Sequence, residues 1–295
     1  MSHYDLDLFL ALNEEYRQHP LVPRPRRMEP KALMEQASRR AKGLDRRLGL
    51  RGRRVLEIGC GRGHLGAVLA EQYDCKYTGV DVVKYDEWFE FAGPHVEFLE
   101  HDVTQAENRG LGEFDRILSI AVFEHIERPY EGISAISELL SASGCFYMSA
   151  NLYRGPKASH RYREVFFPFP HLLFSDEVFA QFYERTTRPH RGPAWVNKLT
   201  AAQYRERVAR CDLKIDDEWT DRTALDEAFF HRFQDTLGKY PKEDLETDFI
   251  HIVGSASKGS DHSAAARHGL RSHLRRLVEA ATTRVGLRRD VRNST

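Results

Sequence analysis

The sequence has few cysteines and no run of apolar residues long enough to cross a membrane. Its four cysteines, Cys60, Cys75, Cys145 and Cys211, lie far apart and form no CxxC pair. Neither a disulfide framework nor a thiolate zinc site is expected, and each cysteine is interpreted as a small buried residue. A membrane-spanning helix needs roughly 18 consecutive apolar residues. The sequence therefore predicts no such helix.

The chain also lacks a net charge, an internal repeat and a secretory signal. Its 44 Lys and Arg balance 44 Asp and Glu, and its first 15 residues contain four acids where a signal would have a basic start. We therefore expect a cytoplasmic protein. The charge is unevenly spread: residues 257–295 hold nine Lys or Arg against three acids, so residues 1–256 are net negative. An acidic body disfavours nucleic acid as a partner.

Residues 53–150 alternate between short β-branched runs and helical segments. The runs are RVLEI, KYTGV, VEFLE, RILSI and CFYMSA, and helices are predicted from His64 and after Pro129. Strands that alternate with helices are typical of a parallel sheet with helices on both faces. The sequence therefore predicts an α/β protein.

A similar pattern returns later in the chain. Thr200 is a plausible N-cap for a helix that runs to about Arg210, and a strand follows from Leu213. The segment FIHIVGSAS, at 249–257, supplies a last strand. These elements predict that the sheet continues beyond the alternating region.

The remaining segments set the predicted domain boundaries. Apolar residues at helical spacing predict helices at 3–17 and 30–48. The predicted division is an N-terminal helical cap (1–50), a catalytic domain (51–257) with insertions at 151–197 and 221–247, and a basic amphipathic tail (258–295). The first insertion is crowded with aromatic residues, His, Arg and Pro, and it is longer than ordinary α/β connections. We expect it to cover a site.

The segment VLEIGCGRG, from Val55 to Gly63, is a buried strand that runs into three alternating glycines. Glycines let the backbone turn tightly and approach a ligand that a Cβ would repel. Peptide N–H groups and the positive end of the following helix then face an anionic group at the carboxyl edge of the sheet. Glu57 lies inside this apolar strand and needs a cationic or hydrogen-bonding partner. The segment predicts a cofactor site.

Two classes of cofactor fit this loop. Gly61, Gly63 and Gly66 satisfy GxGxxG, a dinucleotide-binding pattern that is weak when it stands alone. The segment TGVD places Asp81 at the end of the second strand, where a carboxylate can accept both hydroxyls of a ribose. Because a nicotinamide enzyme needs the same acid, an NAD-dependent oxidoreductase is one alternative at this point.

Two further motifs separate these classes. EHDVT and FDRILSIAVFEHIERP place Asp102, and then Ser119 to His125, at the ends of the third and fourth strands. With the glycine loop and Asp81, these motifs resemble the class I S-adenosylmethionine-dependent methyltransferases over roughly residues 50–150. The resemblance implies a Rossmann-like, seven-stranded, mostly parallel sheet whose last strand is antiparallel. It also implies helices on both faces, and we expect the first insertion to act as an acceptor lid.

The resemblance implies S-adenosylmethionine as cofactor. The three loop glycines would border its methionine part, Asp81 would hold its ribose, and Val82 would flank its adenine. Asp102 would bind the adenine amino group, and the carbonyl or side chain of Ser119 would meet the cofactor's ammonium. The predicted cofactor-binding residues are Glu57, Gly59, Cys60, Gly61, Gly63, Asp81, Val82, Asp102, Val103, Ser119, Ile120 and Ala121.

Methyl transfer to a hydroxyl needs a base as well as an aligned acceptor. His125 is the first candidate, because it follows strand four beside the transfer site and imidazole titrates near neutrality. Glu124 could serve instead, or could hold a divalent ion such as Mg²⁺. His160, in the insertion, is a third candidate. The structural alternative is that Glu124 and His125 brace their loop through hydrogen bonds.

The acceptor is predicted from the insertion. Tyr153, Arg154, Tyr162 and His171 offer aromatic faces beside hydrogen-bonding and cationic groups, which suit a sugar, glycan or glycolipid and equally a phenolic metabolite. The segments FSDEVFAQFY and PAWVNKLTAAQY are similar to parts of bacterial methyltransferases that accompany glycan-building enzymes. We therefore expect O-methylation of a carbohydrate hydroxyl, with a phenol or other natural product as the alternative.

The tail and the motifs leave further alternatives open. Apolar positions at helical spacing in the tail, Leu270, Leu274, Leu277 and Val278 among them, predict a basic amphipathic helix. Such a helix could contact an anionic membrane surface, pack on the catalytic domain, or join two copies in a homodimer. A cofactor-binding protein without catalysis is the alternative outside the enzymes.

Overall fold

The computed structural model describes residues 4–23, 29–105, 108–186 and 197–257. The chain divides into one unit of residues 1–256 and a second of residues 257–295. The predicted tail helix lies outside the described residues, as do residues 187–196 near the end of the first insertion. All features described below belong to the first unit.

In the described residues, seven strands form one sheet. They are β1 (Arg54–Ile58), β2 (Lys76–Asp81), β3 (Val96–Glu100), β4 (Phe114–Ile120), β5 (Leu140–Asn151), β6 (Leu213–Arg222) and β7 (Thr247–Ala256). Their order is β3-β2-β1-β4-β5-β7-β6. Strands β1 to β5 pair in parallel, whereas β7 is antiparallel to both β5 and β6. The predicted Rossmann-like sheet with an antiparallel last strand is confirmed.

Eleven α-helices surround the sheet in the described residues. They are α1 (Leu6–Glu15), α2 (Pro30–Leu48), α3 (His64–Tyr73), α4 (Glu87–Phe91), α5 (Pro129–Leu139), α6 (Pro170–Leu173), α7 (Asp176–Glu184), α8 (Ala201–Arg210), α9 (Glu227–Arg232), α10 (Gln234–Leu237) and α11 (Lys242–Glu246). Three of them, α1, α8 and α9, have a side-chain cap at the N-terminus. Thr200 caps α8 in a reciprocal capping box with Gln203, which confirms the predicted cap. Among the described helices, none has the length and apolar character to span a bilayer.

Apolar clusters cover both faces of the sheet. Helices α5 and α8 contribute to the cluster on one face, and α2 and α3 contribute to the cluster on the other. The central strand β1 is buried on both sides, with Leu56 facing the first cluster and Val55 facing the second. Continuous apolar runs such as VLEI are typical of parallel strands covered by helices on both faces. Because helices cover both faces, a ligand would reach the sheet at the carboxyl ends of its parallel strands.

A third cluster, which we call the aromatic layer, is built from three separate parts of the chain. It joins α1, the first insertion from Val165 to Tyr183, and the segment from Phe229 to Leu245. The ring of Phe9 in α1 lies at its centre and packs edge-to-face against Phe167 at 5.2 Å. Within the predicted cap at 1–50, helix α1 packs against the two insertions, whereas α2 packs on the sheet.

Polar contacts attach the aromatic layer to the rest of the domain. The buried Asn13 of α1 donates to the Glu164 carbonyl at 3.0 Å and accepts from the Phe166 amide at 2.8 Å. The Lys157 ammonium donates to Asp248 of β7 at 2.8 Å. Because these contacts are held by buried or half-buried groups, they fix the insertion relative to both α1 and the sheet.

Candidate active site

A cavity of about 660 Å³ lies at the carboxyl ends of the central strands, beside the first half of α2. The predicted cofactor residues that line it are Glu57, Gly59, Cys60, Gly61, Gly63, Asp81, Val82, Asp102, Val103, Ile120 and Ala121. His125 lines the same cavity. In open α/β sheets, ligands bind in the crevice outside the carboxyl ends of the strands. The structure therefore brings the predicted cofactor residues together around one space.

The glycine loop brings backbone close to the loop after β4. Gly59, Gly61 and Gly63 all have left-handed φ angles, of 73°, 52° and 81°. A Cβ at Gly59 would lie 2.3 Å from a Val122 methyl carbon, which is well inside contact distance. The loop can thus form only because the first of these positions has no side chain.

We expect Gly59→Ala to destabilise the fold by at least about 2 kcal/mol, because the left-handed backbone and the contact with Val122 both oppose a methyl group. Urea unfolding measures this change. Gly43→Ala is the matched control: Gly43 lies inside α2 with open space around it, so alanine there should stabilise by about 0.5–1 kcal/mol. Equal effects at the two positions would contradict the steric argument.

Asp81 connects the glycine loop to the end of β2. Its carboxylate accepts from the Gly61 amide at 2.8 Å and from the Val83 amide at 3.1 Å. The Trp88 indole donates to the Gly61 carbonyl at 2.7 Å, so both the amide and the carbonyl of Gly61 are held. Asp81 is thereby fixed on the wall of the cavity with a defined orientation.

Asp102 lies after β3 and also lines the cavity. Its carboxylate accepts from the amide and the hydroxyl of Thr104, at 2.9 and 2.8 Å, and Arg128 lies 3.8 Å away. Burial alone would raise the pKa of Asp102, but the Thr104 hydrogen bonds and the Arg128 charge outweigh it and lower the pKa. Asp102 therefore presents a stable negative charge at this end of the cavity.

Glu57 is a buried acid beneath the glycine loop. The Tyr77 hydroxyl donates to it at 2.5 Å. Burial raises the pKa of Glu57 to about 7, and the Tyr77 hydrogen bond and the charge of Arg40 limit that rise. Tyr77 is the hydrogen-bonding partner that the sequence required for this acid, and Arg40 is the cation.

We expect Glu57→Gln to change how stability depends on pH. In the folded wild type this carboxyl takes up a proton near pH 7, and the unfolded chain does so near 4.5. The contribution of Glu57 to stability is therefore complete below pH 4.5, and it is lost as the pH rises through about 7. When the pH is lowered from 7.5 to 4.5, the free energy of unfolding of the wild type should rise by up to about 3 kcal/mol relative to that of the variant.

Urea unfolding of both proteins across this range measures the difference. Glu97→Gln provides the control, because Glu97 is an exposed residue of β3. Parallel stability curves for wild type and Glu57→Gln would show that Glu57 titrates alike in the folded and unfolded states. That result would contradict the prediction.

The loop after β4 contains the predicted transfer site. Ile120 and Ala121 line the cavity, whereas the Ser119 side chain is fully buried and does not. Ala121 has a left-handed φ of 56°, an unusual conformation for a residue with a side chain. Only the backbone of Ser119, and not its hydroxyl, is therefore compatible with the predicted contact to an ammonium group.

Glu124, His125 and His160 form a cluster at the end of the cavity. Glu124 is 0% exposed, and neither of its carboxylate oxygens has a hydrogen-bonding partner among the described residues. His125 is 42% exposed, and its Nε2 lies 4.0 Å from a Glu124 oxygen. The ring of His160 lies 5.0 Å from the ring of His125. All three predicted catalytic candidates are thus neighbours.

The protonation states in this cluster follow from burial. Burial raises the pKa of Glu124 to about 7, with nearby backbone amides offsetting part of the rise. Burial and the charges of His125 and Arg161 lower the pKa of His160 to about 4. His160 is therefore a neutral imidazole at neutral pH and can accept a hydrogen bond.

The same three residues could hold a metal ion, since one ligand atom of each lies within 4.8 Å of the others. Two of these donors are imidazole nitrogens. Mg²⁺ prefers six oxygen ligands, whereas imidazole suits transition metals. The cluster therefore does not fit the expected Mg²⁺.

The four predicted acceptor residues lie outside the lining of the cavity. Tyr153 and His171 pack edge-to-face at 5.1 Å, and the Lys198 ammonium lies 4.9 Å from the Tyr153 ring centre. Burial lowers the pKa of His171 to about 4. Arg154, in contrast, is paired with Asp244 at 2.5 Å. Tyr162 is half-buried in the same insertion.

Several lining residues were missed by the sequence analysis. They are Leu33, Gln36, Ala37, Arg40, Arg62, His64, Tyr85, His101, Thr104, Arg128 and others. Arg40 had a recognisable signal, because it follows Leu33 and Ala37 on the apolar face of α2. A charged side chain on such a face needs a polar or charged partner. Leu33, Gln36 and Ala37 lie on the same helix, and His64 begins α3. The others named belong to loops whose path depends on tertiary contacts, namely Arg62, Tyr85, His101, Thr104 and Arg128.

A family model described as a methyltransferase domain matches residues 31–215. The chain belongs to this family. The match spans the glycine loop, Asp81, Asp102 and the cluster at His125, so the methyltransferase class predicted from the motifs is confirmed. The oxidoreductase alternative has no comparable support.

Curated relatives match the central part of the chain. A ubiquinone biosynthesis O-methyltransferase of Pseudomonas aeruginosa (strain LESB58) is 30% identical over 139 residues, which are 45% of this chain and 59% of the relative. A cyclopropane-fatty-acyl-phospholipid synthase of Escherichia coli (strain K12) is 32% identical over 130 residues, which are 42% of this chain and 32% of that protein. The chain thus spans 59% of the length of the first relative and 32% of the length of the second.

Solved structures share the fold over a larger part of the chain. Coclaurine N-methyltransferase, bound to N-methylheliamine and S-adenosylhomocysteine, is 16% identical with a TM-score of 0.51, covering 84% of this chain and 86% of that one. The [4+2]-cyclase SpnF is also 16% identical, with a TM-score of 0.50, covering 86% and 94%. At this identity the likeness shows the fold alone.

Proposed function

We propose that this chain is an S-adenosylmethionine-dependent O-methyltransferase. The observation that carries the proposal is the single cavity that joins the glycine loop, Asp81 and Asp102 to His125, within a methyltransferase domain. A cofactor with a charged amino-acid end and a nucleoside end matches this distribution of backbone amides and carboxylates.

We assign each end of the cofactor to a wall of the cavity. We place the ribose hydroxyls on Asp81 and the adenine between Val82, Asp102 and Val103. The methionine part would lie along the glycine loop, where Arg40 faces the cavity from α2 and can pair with a carboxylate. The backbone of Ser119 and Ile120 would meet the ammonium. These contacts would orient the cofactor's sulfur toward Ala121 and His125.

The bound cofactor supplies an electrophilic methyl group, so the chain has to align the acceptor, exclude water and remove a proton. His125 lies beside the transfer loop with its ring on the cavity wall. We propose that it accepts the hydroxyl proton as the acceptor oxygen forms its bond to carbon. His160 and the buried Glu124 lie behind His125 and would stabilise its charged form. No step uses Mg²⁺.

We propose a carbohydrate hydroxyl, on a sugar, glycan or glycolipid, as the acceptor. Tyr153 and His171 of the first insertion pack together with the Lys198 ammonium, and His160 is near enough to His171 to contribute to the lowering of its pKa. Aromatic faces beside hydrogen-bonding groups suit a polyhydroxylated ring. Arg154 is excluded from this role by its pairing with Asp244.

A phenolic acceptor is the second candidate. It is favoured by the several relatives of about 30% identity that are named ubiquinone biosynthesis O-methyltransferase. A phenol has a pKa near 10, so it loses its proton to an imidazole more readily than an alcohol does. The same cluster at His125 would serve both acceptors.

The domain roles form part of the proposal. We propose residues 51–257 as the catalytic domain, with α1 and the aromatic layer as the cover of the acceptor side. Contact of the basic tail with a membrane, or with a second copy of the chain, stays a proposal that depends on residues outside those described.

Two measurements test the proposed function. Calorimetric titration of the purified chain with S-adenosylhomocysteine and, separately, with NAD should show binding of the first. Methyl transfer from labelled S-adenosylmethionine is then screened against sugar, glycolipid and phenol pools. Binding of NAD alone would refute the cofactor assignment, and transfer to nitrogen or carbon acceptors only would refute the O-methyltransferase assignment.

A further inference from the structure

Asn197, at the end of the first insertion, bonds to the turn that carries His125. Its side-chain amide donates to the Phe123 carbonyl at 2.6 Å and to the Ile126 carbonyl at 3.4 Å. Its backbone amide donates to the Glu124 carbonyl at 2.8 Å. One residue therefore holds the backbone of this turn on both sides of His125.

The turn has few hydrogen bonds of its own. It is a 3₁₀ helix of three residues. Two backbone bonds close it, from the His125 amide to the Val122 carbonyl at 2.8 Å and from the Ile126 amide to the Phe123 carbonyl at 3.3 Å. Hydrogen bonds in a 3₁₀ helix have poor geometry, and the last carbonyls of any helix lack a partner within it. The conformation of this turn therefore depends on bonds from outside, and Asn197 provides three of them.

The side-chain amide of Asn197 has a defined orientation. Its Oδ1 accepts from the Leu199 amide at 3.2 Å and from the Tyr204 hydroxyl at 3.3 Å. The nitrogen thus faces two acceptors and the oxygen faces two donors, so the reversed amide would satisfy neither side. Tyr204 belongs to α8 and is fully buried in the apolar cluster of that sheet face. The segment PAWVNKLTAAQY therefore links the turn to the core of the domain.

The turn that Asn197 holds carries the proposed base. The His125 side chain is 42% exposed and lines the cavity, so packing covers only part of its ring. The position of the imidazole therefore depends on the backbone that carries it. A small displacement of a catalytic group slows the chemical step.

We propose that Asn197 is a positioning residue for His125 in methyl transfer. It fixes the backbone on both sides of His125 and thereby sets the distance from the imidazole to the acceptor hydroxyl. This inference rests on the proposed function, in which His125 removes the acceptor proton. It predicts slower turnover with intact cofactor binding, because the Asn197 side chain does not line the cavity.

The test compares Asn197→Ala and Asn197→Asp with the wild type. Alanine removes the whole side-chain amide, whereas aspartate keeps the acceptor for Leu199 and Tyr204 and loses the donor to the two carbonyls. Each variant should lower kcat about tenfold and leave the KM for S-adenosylmethionine within about twofold of wild type. Thr200→Ala is the matched control: it removes the cap of α8 in the same segment and should leave kcat within about twofold.

Hydrogen exchange of the full-length protein gives a second readout, which needs no acceptor. The peptide that contains residues 122–126 should exchange at least about threefold faster in both Asn197 variants, while peptides of α3 exchange as in the wild type. Unaltered exchange in that peptide would overturn the inference even if no acceptor is found. Wild-type kcat in both variants, or an equal loss of kcat in Thr200→Ala, would also overturn it. Absence of turnover in the wild type, together with faster exchange in the variants, would count against the proposed function alone.

Discussion

Asp81→Ala is expected to raise the Kd for S-adenosylhomocysteine about 100-fold. A carboxylate that accepts two hydroxyls makes charge-assisted bonds worth about 1.5–3 kcal/mol each, and tenfold in affinity corresponds to about 1.4 kcal/mol. The variant also removes the acceptor of the Gly61 amide, which loosens the glycine loop that would hold the methionine part. Isothermal titration at fixed salt measures the change.

Two further variants sharpen the interpretation of this loss. Asp81→Asn keeps one carbonyl acceptor, and its Kd for S-adenosylhomocysteine should lie between those of the wild type and Asp81→Ala. Asp115→Ala removes an acid that accepts from the Arg54 amide at 3.0 Å outside the cavity, and it should leave Kd within twofold. If Asp81→Ala binds the nucleoside as tightly as wild type, the ribose assignment is wrong and Asp102 becomes the first candidate in its place.

The sheet was predictable from the sequence because its signals are local. RVLEI, KYTGV and VEFLE are short runs rich in β-branched and aromatic residues. RVLEI, at the centre of the sheet, is an apolar run of the kind that fits a strand buried on both faces. The structure places β1 at Arg54–Ile58 and β3 at Val96–Glu100, as these runs predict. Parallel strands share one carboxyl edge, so the site beside Asp81 and Asp102 followed from the same reasoning.

The aromatic layer was not predictable in this way. Phe9, Phe167 and Phe229 lie far apart in the chain, and nothing in their local spacing shows that they share one core. For the same reason the sequence could not show that Arg154 pairs with Asp244, 90 residues away. The acceptor side depends on such long-range packing, which is why its residues were harder to assign than those of the cofactor side.

Two buried acids, Glu57 and Glu124, lie near the cavity and differ in their hydrogen bonds. Glu57 has a hydrogen-bonding partner in Tyr77, whereas Glu124 has none among the described residues. A buried carboxylate without a partner is costly unless it is protonated or a charge comes close. A protonated His125, 4.0 Å away, would provide that charge. Glu124 therefore favours the state of His125 that follows proton removal from an acceptor.

This coupling makes His125→Ala the sharpest test of the catalytic assignment. We expect kcat to fall about 100-fold or more, since a positioned general base typically contributes 10²–10⁴-fold. The Kd for S-adenosylhomocysteine should stay within twofold, because Asp81, Asp102 and the glycine loop would hold the nucleoside. Single-turnover kinetics with the acceptor found in the screen, together with calorimetry, separate the two quantities.

His231→Ala is the matched control, because His231 is an exposed histidine 3.8 Å from Glu227 in α9 and should leave both quantities unchanged. A His125→Ala enzyme with full kcat would move the base to His160 or Glu124, and Glu124→Gln would then become the decisive variant. A parallel loss of kcat and cofactor affinity would instead show that His125 braces the loop after β4. The split between the two constants therefore distinguishes the chemical role of His125 from its structural one.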